Sequence, residues 1–187
     1  VEELLGSGGG GDVFLVRTVE TRQPRALKAM PKQDLCSYHR VEAVSKEIQT
    51  LRKLRHPNIV SFFGAAHTDE HVLILQECPG TRNLHRLQRE SPNYRLPCEQ
   101  ARSFFQQISG AIAYCHGLDT VHRDLKQENI IVCRDNATVK LVDFGTAERL
   151  NADLELCGTV PFIPPEVLNN DVNSYDAGKA DVWALGM

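Results

Sequence analysis

The chain has 187 residues, 42% of them hydrophobic, which is enough to form the core of one domain or of two small lobes. Its formal net charge of −3 gives no indication of a nucleic-acid partner or of an anionic membrane surface. No apolar run approaches the roughly 18–20 residues that a membrane-spanning helix needs, and the first residues carry no basic segment typical of a secretory signal.

The cysteines are scattered, with no C-x-x-C pair and no histidine at metal-ligand spacing. They are Cys36, Cys78, Cys98, Cys115, Cys133 and Cys157. This usage favours buried thiols of an intracellular protein, in the cytosol or nucleus, over disulfides or a zinc site.

The first part of the chain is predicted to be strands around one helix. Residues 13–16, 25–30, 59–63 and 71–75 are short β-type runs bounded by turn or polar residues. Between them, residues 41–54 carry apolar side chains at intervals of three and four, which predicts an amphipathic helix.

The later part is predicted to be mainly helical, after a turn-rich break at residues 78–81. Residues 99–116 form a helix whose apolar face is Ala101, Phe104, Phe105, Ile108, Ile112 and Cys115. Two short runs, 130–132 and 139–142, indicate a hairpin around Asp135 and Asn136.

The predicted fold class is therefore α+β with two lobes. A small β-rich N-lobe covers residues 1–76, a hinge covers 77–82, and a mainly helical C-lobe covers 83–187.

Two polar motifs flank that hairpin. Residues 122–129 read H-R-D-L-K-Q-E-N, and residues 143–145, which read D-F-G, begin 14 residues after Asn129. A carboxylate at Asp124 can accept the proton of an attacking hydroxyl. Asn129 and Asp143 offer the hard oxygen ligands that Mg²⁺ takes when it is shared with substrate phosphates.

Near the N-terminus, residues 6–13 fit the pattern G-x-G-x-x-G-x-V, in which backbone amides can approach phosphates closely. Alone this pattern also suits a glycine-rich hairpin turn. A dinucleotide-binding motif is excluded because the run leads into a strand and not into a helix. Lys28 follows in an apolar strand and needs a partner, for which Glu47 is the candidate; the alternative is an edge-strand lysine that reaches solvent.

On these motifs the chain resembles the eukaryotic protein kinases of serine/threonine type, from Leu5 to its last residue. A hinge proline, Pro79, and the Pro-Pro-Glu run at 164–166 are similar to a calcium/calmodulin-kinase-like branch. The resemblance implies ATP and Mg²⁺ as cofactors, protein substrates, and transfer of the γ-phosphoryl group to a serine or threonine hydroxyl. Thr146, just after D-F-G, favours threonine as the acceptor. The resemblance leaves the oligomeric state open.

The resemblance also assigns site residues. The catalytic set is Asp124, Lys126, Lys28 and Thr159, with Thr159 expected to hydrogen-bond near Asp124 and Lys126. The metal ligands are Asn129 and Asp143. The nucleotide-binding set is Leu5, Gly6, Ser7, Gly8, Gly11, Val13, Ala26, Lys28, Glu47, Glu77 and Ile131. A regulatory hydrophobic spine is assigned to Leu51, Phe62, His122 and Phe144.

Four departures from the family pattern carry information. Gly10 stands where an aromatic residue usually covers the phosphates, which predicts a weaker hold on ATP. Pro79 has no N–H to donate to adenine, so only the Glu77 carbonyl contact remains at the hinge. Asn83 replaces an acidic residue, which leaves the substrate charge preference open. Glu155 stands in the place of the usual phosphothreonine, so it is expected to pair with Arg123 and hold the loop active without phosphorylation; the alternative is a solvated acidic residue.

Two other functions remain open at this point. A pseudokinase scaffold fits the hinge proline and Gly10, and a small-molecule phosphotransferase shares the spacing from Asp124 to Asn129 but lacks the Gly-Thr and Pro-Glu stretches. The resemblance also predicts a fragment of a longer kinase domain with exposed apolar surface around Leu168, Val182, Trp183 and Leu185.

Overall fold

The computed structural model describes residues 2–150, 157–168 and 175–187. An antiparallel five-stranded sheet with strand order β1-β2-β3-β5-β4 forms the N-lobe, together with helix α1 (Tyr38–Lys53). The strands are β1 (Glu3–Gly8), β2 (Gly11–Arg17), β3 (Pro24–Pro31), β4 (Phe62–His67) and β5 (His71–Glu77).

The C-lobe combines helices with a small three-stranded sheet of order β6-β7-β8. Its strands are β6 (Arg82–Asn83), β7 (Ile130–Val132) and β8 (Val139–Leu141). Its helices are α2 (Leu84–Glu90), α3 (Cys98–Gly117), α4 (Pro165–Leu168) and α5 (Ala177–Leu185). The predicted α+β class and the predicted hairpin around Asp135 and Asn136 are confirmed.

Three of these helices begin with a side-chain cap. Ser37 accepts a hydrogen bond from the Arg40 amide at 3.3 Å, and Asp176 accepts one from the Lys179 amide at 3.1 Å. Asn83 caps α2 in the same way, at 2.9 Å from the Arg86 amide. Each cap satisfies one of the N–H groups that a helix start leaves unpaired.

One hydrophobic core runs through both lobes. Leu51 of α1 and Ile74 of β5 belong to the same buried cluster as Ile108 of α3, Leu141 of β8 and Phe144. All five side chains are almost fully inaccessible to solvent. The cleft between the lobes therefore has a continuous apolar floor that fixes their relative position.

The predicted strand at residues 59–63 is wrong in its first half. Ile59 and Val60 are buried but lie before β4, because this segment pairs with the C-lobe. The Val60 amide donates to the Leu141 carbonyl at 3.0 Å, and the Leu141 amide donates to the Asn58 carbonyl at 2.8 Å. The apolar run joins the two lobes.

The predicted apolar face of α3 is correct in its centre and wrong at two positions. Phe104, Ile108, Ile112 and Cys115 are buried, whereas Ala101 and Phe105 are exposed. Phe105 is about 100° around the helix from Phe104, so it points away from the core. Ala101 lies in the first turn of the helix.

The cysteines also differ from the expectation. All six are free, but Cys36 and Cys98 are exposed and not buried. Leu168, Val182 and Trp183 are exposed as predicted, and Leu185 is half-buried. Within the described ranges, no helix is both long and apolar enough to cross a membrane.

We expect Gly11→Ala to lower the free energy of unfolding by about 1–3 kcal/mol. Gly11 has φ of +104°, and a Cβ there would lie 2.5 Å from the Ala29 carbonyl oxygen of β3. Gly9→Ala is the matched control, since a Cβ at Gly9 meets nothing within 4 Å. Thermal unfolding of the full-length protein measures both variants, and equal melting temperatures would contradict the expectation.

Candidate active site

A cavity of about 630 Å³ lies between the lobes. The glycine-rich hairpin of β1 and β2 forms one wall, and the loop that precedes β7 forms the opposite wall. All eleven predicted nucleotide-binding residues line this cavity, as do Asp124, Lys126, Asn129 and Asp143. Thr159 does not line it but hydrogen-bonds to residues that do. Residues far apart in the sequence are thus brought to one cleft.

Lys28 lies at the inner end of this cavity between two carboxylates. Its Nζ is 2.7 Å from Glu47 Oε1 of α1 and 3.2 Å from Asp143 Oδ1. Burial disfavours the charged ammonium, but Glu47 and Asp143 outweigh it and the pKa of Lys28 is raised. The edge-strand alternative is therefore excluded, since only 8% of Lys28 is exposed.

The two carboxylates respond differently to this arrangement. Burial raises the pKa of Glu47, and Lys28 offsets that effect only in part. Desolvation in the cleft also acts to raise the pKa of Asp143, but Lys28 and His122 outweigh it and hold this pKa below its usual value. Asp143 is thus the more firmly ionised of the two and the better candidate for a metal ligand.

Asn129 is oriented so that its oxygen remains available to a metal. Its Nδ2 donates to the Asp124 backbone carbonyl at 2.9 Å and to Asp124 Oδ2 at 3.2 Å. Within the part of the chain that the structure describes, no group of three His, Cys, Asp or Glu residues could hold a metal ion. A site of one amide and one carboxylate fits Mg²⁺, which is usually held by one or two protein groups with water and phosphate oxygens.

Asp124 is the centre of a compact hydrogen-bond network. Its Oδ1 accepts a hydrogen bond from the Thr159 hydroxyl at 2.7 Å, and its Oδ2 accepts one from Lys126 Nζ at 2.7 Å. Lys126 also donates to Thr159 Oγ1 at 2.8 Å, which closes the triangle. This contact joins the catalytic loop, residues 122–129, to the segment that contains Thr159, as the resemblance predicted.

The role of Asp181 was missed from the sequence. This residue of α5 is 1% exposed, and its carboxylate accepts hydrogen bonds from the backbone amides of His122 at 2.9 Å and Arg123 at 2.8 Å. The His116 ring lies 2.9 Å from the same carboxylate. Asp181 therefore holds the start of the catalytic loop. The run D-V-W-A-L-G at 181–186 resembles the start of the helix that anchors the larger lobe in the family, but it does not identify the partner of Asp181.

Two members of the predicted hydrophobic spine are in direct contact. The rings of His122 and Phe144 meet edge to face with centroids 4.9 Å apart. Leu51 and Phe144 belong to the shared core, and Phe62 packs against it. Helix α1 and the D-F-G segment thus contribute to one core.

A second contact joins α1 to the segment after D-F-G. Lys46 Nζ is 2.6 Å from Glu148 Oε2, and the backbones of Glu148 and Val121 form a bridge next to the catalytic loop. Lys46 precedes Glu47, so this ion pair and the Lys28 pair fix adjacent positions of the same helix.

The hinge is held on its outer side by the C-lobe. The Arg134 amide donates to the Pro79 carbonyl at 3.2 Å, and Lys140 Nζ of β8 is 3.1 Å from Glu77 Oε2. The Glu77 carboxylate also accepts a hydrogen bond from the Ser61 amide at 3.1 Å. Strand β5 reaches Glu77, one residue into the predicted hinge.

The glycine-rich hairpin lies close over Lys28. A Cβ at Gly10 would be 3.3 Å from Lys28 Nζ. An aromatic side chain at this position would require the hairpin to lift or Lys28 to move. Gly10 is compatible with the close approach, and its effect on ATP affinity stays a prediction.

Two arginines at and before α2 share one carboxylate partner. Arg82 and Arg86 both contact Glu90, at 3.3 Å and 2.7 Å. Asn83, which replaces an acidic residue, is used as the cap of α2. Glu155, predicted to pair with Arg123, lies outside the described residues.

Comparison with known proteins agrees with this geometry. The protein kinase domain family matches residues 1–187. The chain belongs to this family. Its members generally use ATP and Mg²⁺. The resemblance to serine/threonine protein kinases is thus confirmed.

The relatives include a CBL-interacting serine/threonine-protein kinase 18 from Arabidopsis thaliana, 36% identical over 99% of this chain and 36% of its own length. An Aurora kinase from Yarrowia lipolytica is 34% identical over the whole of this chain and 49% of its own length. The chain thus spans between about a third and a half of the length of these two relatives.

We expect Lys28→Met to cost about 3–5 kcal/mol of stability, because it leaves Glu47 buried without its partner. The double variant Lys28→Met/Glu47→Gln should cost less than the sum of the two single changes. Arg86→Ala is the control, since its exposed pair with Glu90 contributes only about 0.3–0.5 kcal/mol. Chemical denaturation measures the free energy of unfolding of the unmodified protein, of Lys28→Met, Glu47→Gln and the double variant, and of the control. If the costs of the two single changes add up to that of the double variant, the pair is not coupled.

Proposed function

We propose that the full-length protein transfers the γ-phosphoryl group of ATP to serine or threonine hydroxyls of protein substrates. The observation that carries this proposal is the network of Asp124, Lys126 and Thr159 beside the cavity that Lys28 and Asp143 line. Base, cations and metal ligands converge on one cleft, as phosphoryl transfer requires.

The charges around the cavity favour a nucleotide bound together with a divalent cation. Lys28 and Lys126 face the three carboxylates of Glu47, Asp124 and Asp143. Without an added cation this cluster would repel a polyphosphate. Mg²⁺ bound by Asn129 and Asp143 would supply the missing positive charge at the phosphates.

Asp124 is oriented to accept the proton of the attacking hydroxyl. Thr159 and Lys126 each occupy one of its carboxylate oxygens, so the group has little freedom to rotate. As the acceptor oxygen bonds to the γ-phosphorus, the bond to the β-phosphate oxygen breaks and the hydroxyl proton passes to Asp124. Lys126 then lies beside the charge that develops on the transferred group. Catalysis on this scheme is mainly positioning and electrostatics.

We expect Asp124→Asn to reduce phosphoryl transfer by about 10²–10⁴-fold while Mg-ATP binding persists. Asparagine keeps the shape of the side chain but cannot take the proton. Transfer from labelled ATP to a mixed protein substrate, measured with the full-length protein, checks this. Asp135→Asn, in the exposed turn between β7 and β8, is the matched control and should retain full turnover. Nucleotide binding without transfer in the unmodified protein would instead favour a scaffold role.

We further propose that the protein is active without phosphorylation by another kinase, because Glu155 takes the place of a phosphothreonine. Thr146 is the only hydroxyl residue between Phe144 and Thr159, and it already donates to the His122 carbonyl at 2.9 Å. Helix α1 is held to Lys28 through Glu47 and to Glu148 through Lys46, which supports an active arrangement that requires no phosphate.

Glu155→Ala should lower kcat by up to about fivefold, the effect expected if its ion pair with Arg123 contributes about 1 kcal/mol. Asp153→Ala removes an equal charge from the same segment and should leave kcat unchanged. Phosphatase treatment of the unmodified protein should not change turnover. Equal kcat values for the two alanine variants would refute the role of Glu155.

A further inference from the structure

The inner wall of the nucleotide cavity lacks the hydrogen-bond donor that a hinge backbone normally provides. Pro79 lines the cavity but has no N–H. Its carbonyl is already an acceptor for the Arg134 amide at 3.2 Å. The next residue packs closely against β7, since a Cβ at Gly80 would lie 2.2 Å from the Val132 carbonyl oxygen. The hinge therefore presents an altered pattern of donors and acceptors to a base.

Gln76 supplies a polar group in the same wall. It lines the cavity, it is 8% exposed, and its Nε2 is buried with no hydrogen-bond partner among the described residues. A buried amide without a partner costs about 1–3 kcal/mol, so such a group calls for an explanation. Because Nε2 itself is inaccessible to solvent, a ligand in the cavity can become its partner only after the amide rotates.

The terminal amide of Gln76 can serve as either donor or acceptor. Rotation by 180° about its last side-chain bond exchanges Oε1 and Nε2, and no described residue pairs with Nε2 to oppose this rotation. Adenine presents an amino donor at position 6, whereas guanine presents a carbonyl acceptor there. The oxygen of Gln76 suits adenine, and its nitrogen suits guanine.

The hinge removes the usual obstacle to guanine. A backbone N–H at the position of Pro79 would face the N1–H of guanine, and two donors would then oppose each other. With proline at this position that opposition is absent. The N1–H can instead donate to the Glu77 carbonyl, the acceptor that the family resemblance assigns to the base.

We propose that this kinase domain accepts guanine as well as adenine nucleotides, with the Gln76 amide contacting position 6 of the base. The inference rests on the proposed function, because the same cleft and Asp124 would carry out the transfer. With GTP as donor, the γ-phosphorus bonds to the substrate oxygen, GDP leaves, and the hydroxyl proton passes to Asp124.

Equilibrium binding to the full-length protein tests the proposal without relying on turnover. The probes are the non-hydrolysable β,γ-imido analogues of ATP and GTP, each with Mg²⁺, measured by calorimetry. We expect the two Kd values to lie within about tenfold of each other, the worth of one hydrogen bond. Inosine triphosphate shares the carbonyl at position 6 and the N1–H, so it should bind like the guanine analogue.

Two variants change the selectivity in a defined direction. Gln76→Glu keeps the shape of the side chain but leaves only acceptor oxygens, which suit the amino group of adenine and oppose the carbonyl of guanine. It should therefore shift the ratio of Kd values against guanine by about tenfold. Pro79→Ala restores a hinge N–H and should shift the ratio the same way, through tighter adenine and weaker guanine binding. Thermal unfolding shows whether each variant is folded. If Gln76→Glu does not fold, the ratio measured for Pro79→Ala decides the test.

The outcomes separate the two proposals. Adenine binding with guanine binding more than about a hundredfold weaker would overturn the inference and leave the proposed function intact. A ratio unchanged in both variants would also overturn it. Failure of the unmodified protein to bind either nucleotide would overturn the inference and the proposed function together.

Discussion

The buried ammonium of Lys28 is the constraint on which the rest of the cleft depends. A charge taken out of water is stable only when it is paired, and Lys28 finds partners on two other elements, at Glu47 of α1 and at Asp143 after β8. Strand β3, helix α1 and the D-F-G segment must therefore meet at one point. The lobes are held in register by this contact, by the core they share, and by the ion pair of Lys46 with Glu148.

A second buried charge organises the catalytic loop. Asp181 accepts hydrogen bonds from two successive backbone amides, at His122 and Arg123, and so fixes the loop one residue before Asp124. Arg123 has φ of +68° and Asp143 has φ of +61°, both in the left-handed region that residues other than glycine rarely adopt. Backbone of this kind persists when its surroundings over-determine it. The hydrogen bonds from the buried carboxylate of Asp181 provide that support for the catalytic loop. The conformation of the site therefore depends on the packing of α5 in the C-lobe.

Much of the site could be predicted from sequence because its chemistry is encoded in short motifs. Asp124, Asn129 and Asp143 were found from spacing, and Glu47 from the need of Lys28 for a partner. The contact of Thr159 with Asp124 came only through the family resemblance, since 35 residues separate them. What could not be predicted depends on burial in three dimensions. The exposed ring of Phe105, the inter-lobe pairing of Val60 and the anchoring role of Asp181 are set by neighbours distant in the chain.

The hinge also has a pharmacological consequence. Many heterocycles that compete for a nucleotide cleft present a donor and an acceptor side by side, to match a carbonyl and an N–H of one backbone segment. Such a compound would lose one hydrogen bond at Pro79 and bury its acceptor without a partner. A compound with a donor toward the Glu77 carbonyl and an acceptor toward Gln76 would be complementary to this cleft. It would match less well a kinase whose hinge has a backbone N–H at the position of Pro79. The same proline that alters base recognition thus makes this cleft distinguishable by small molecules.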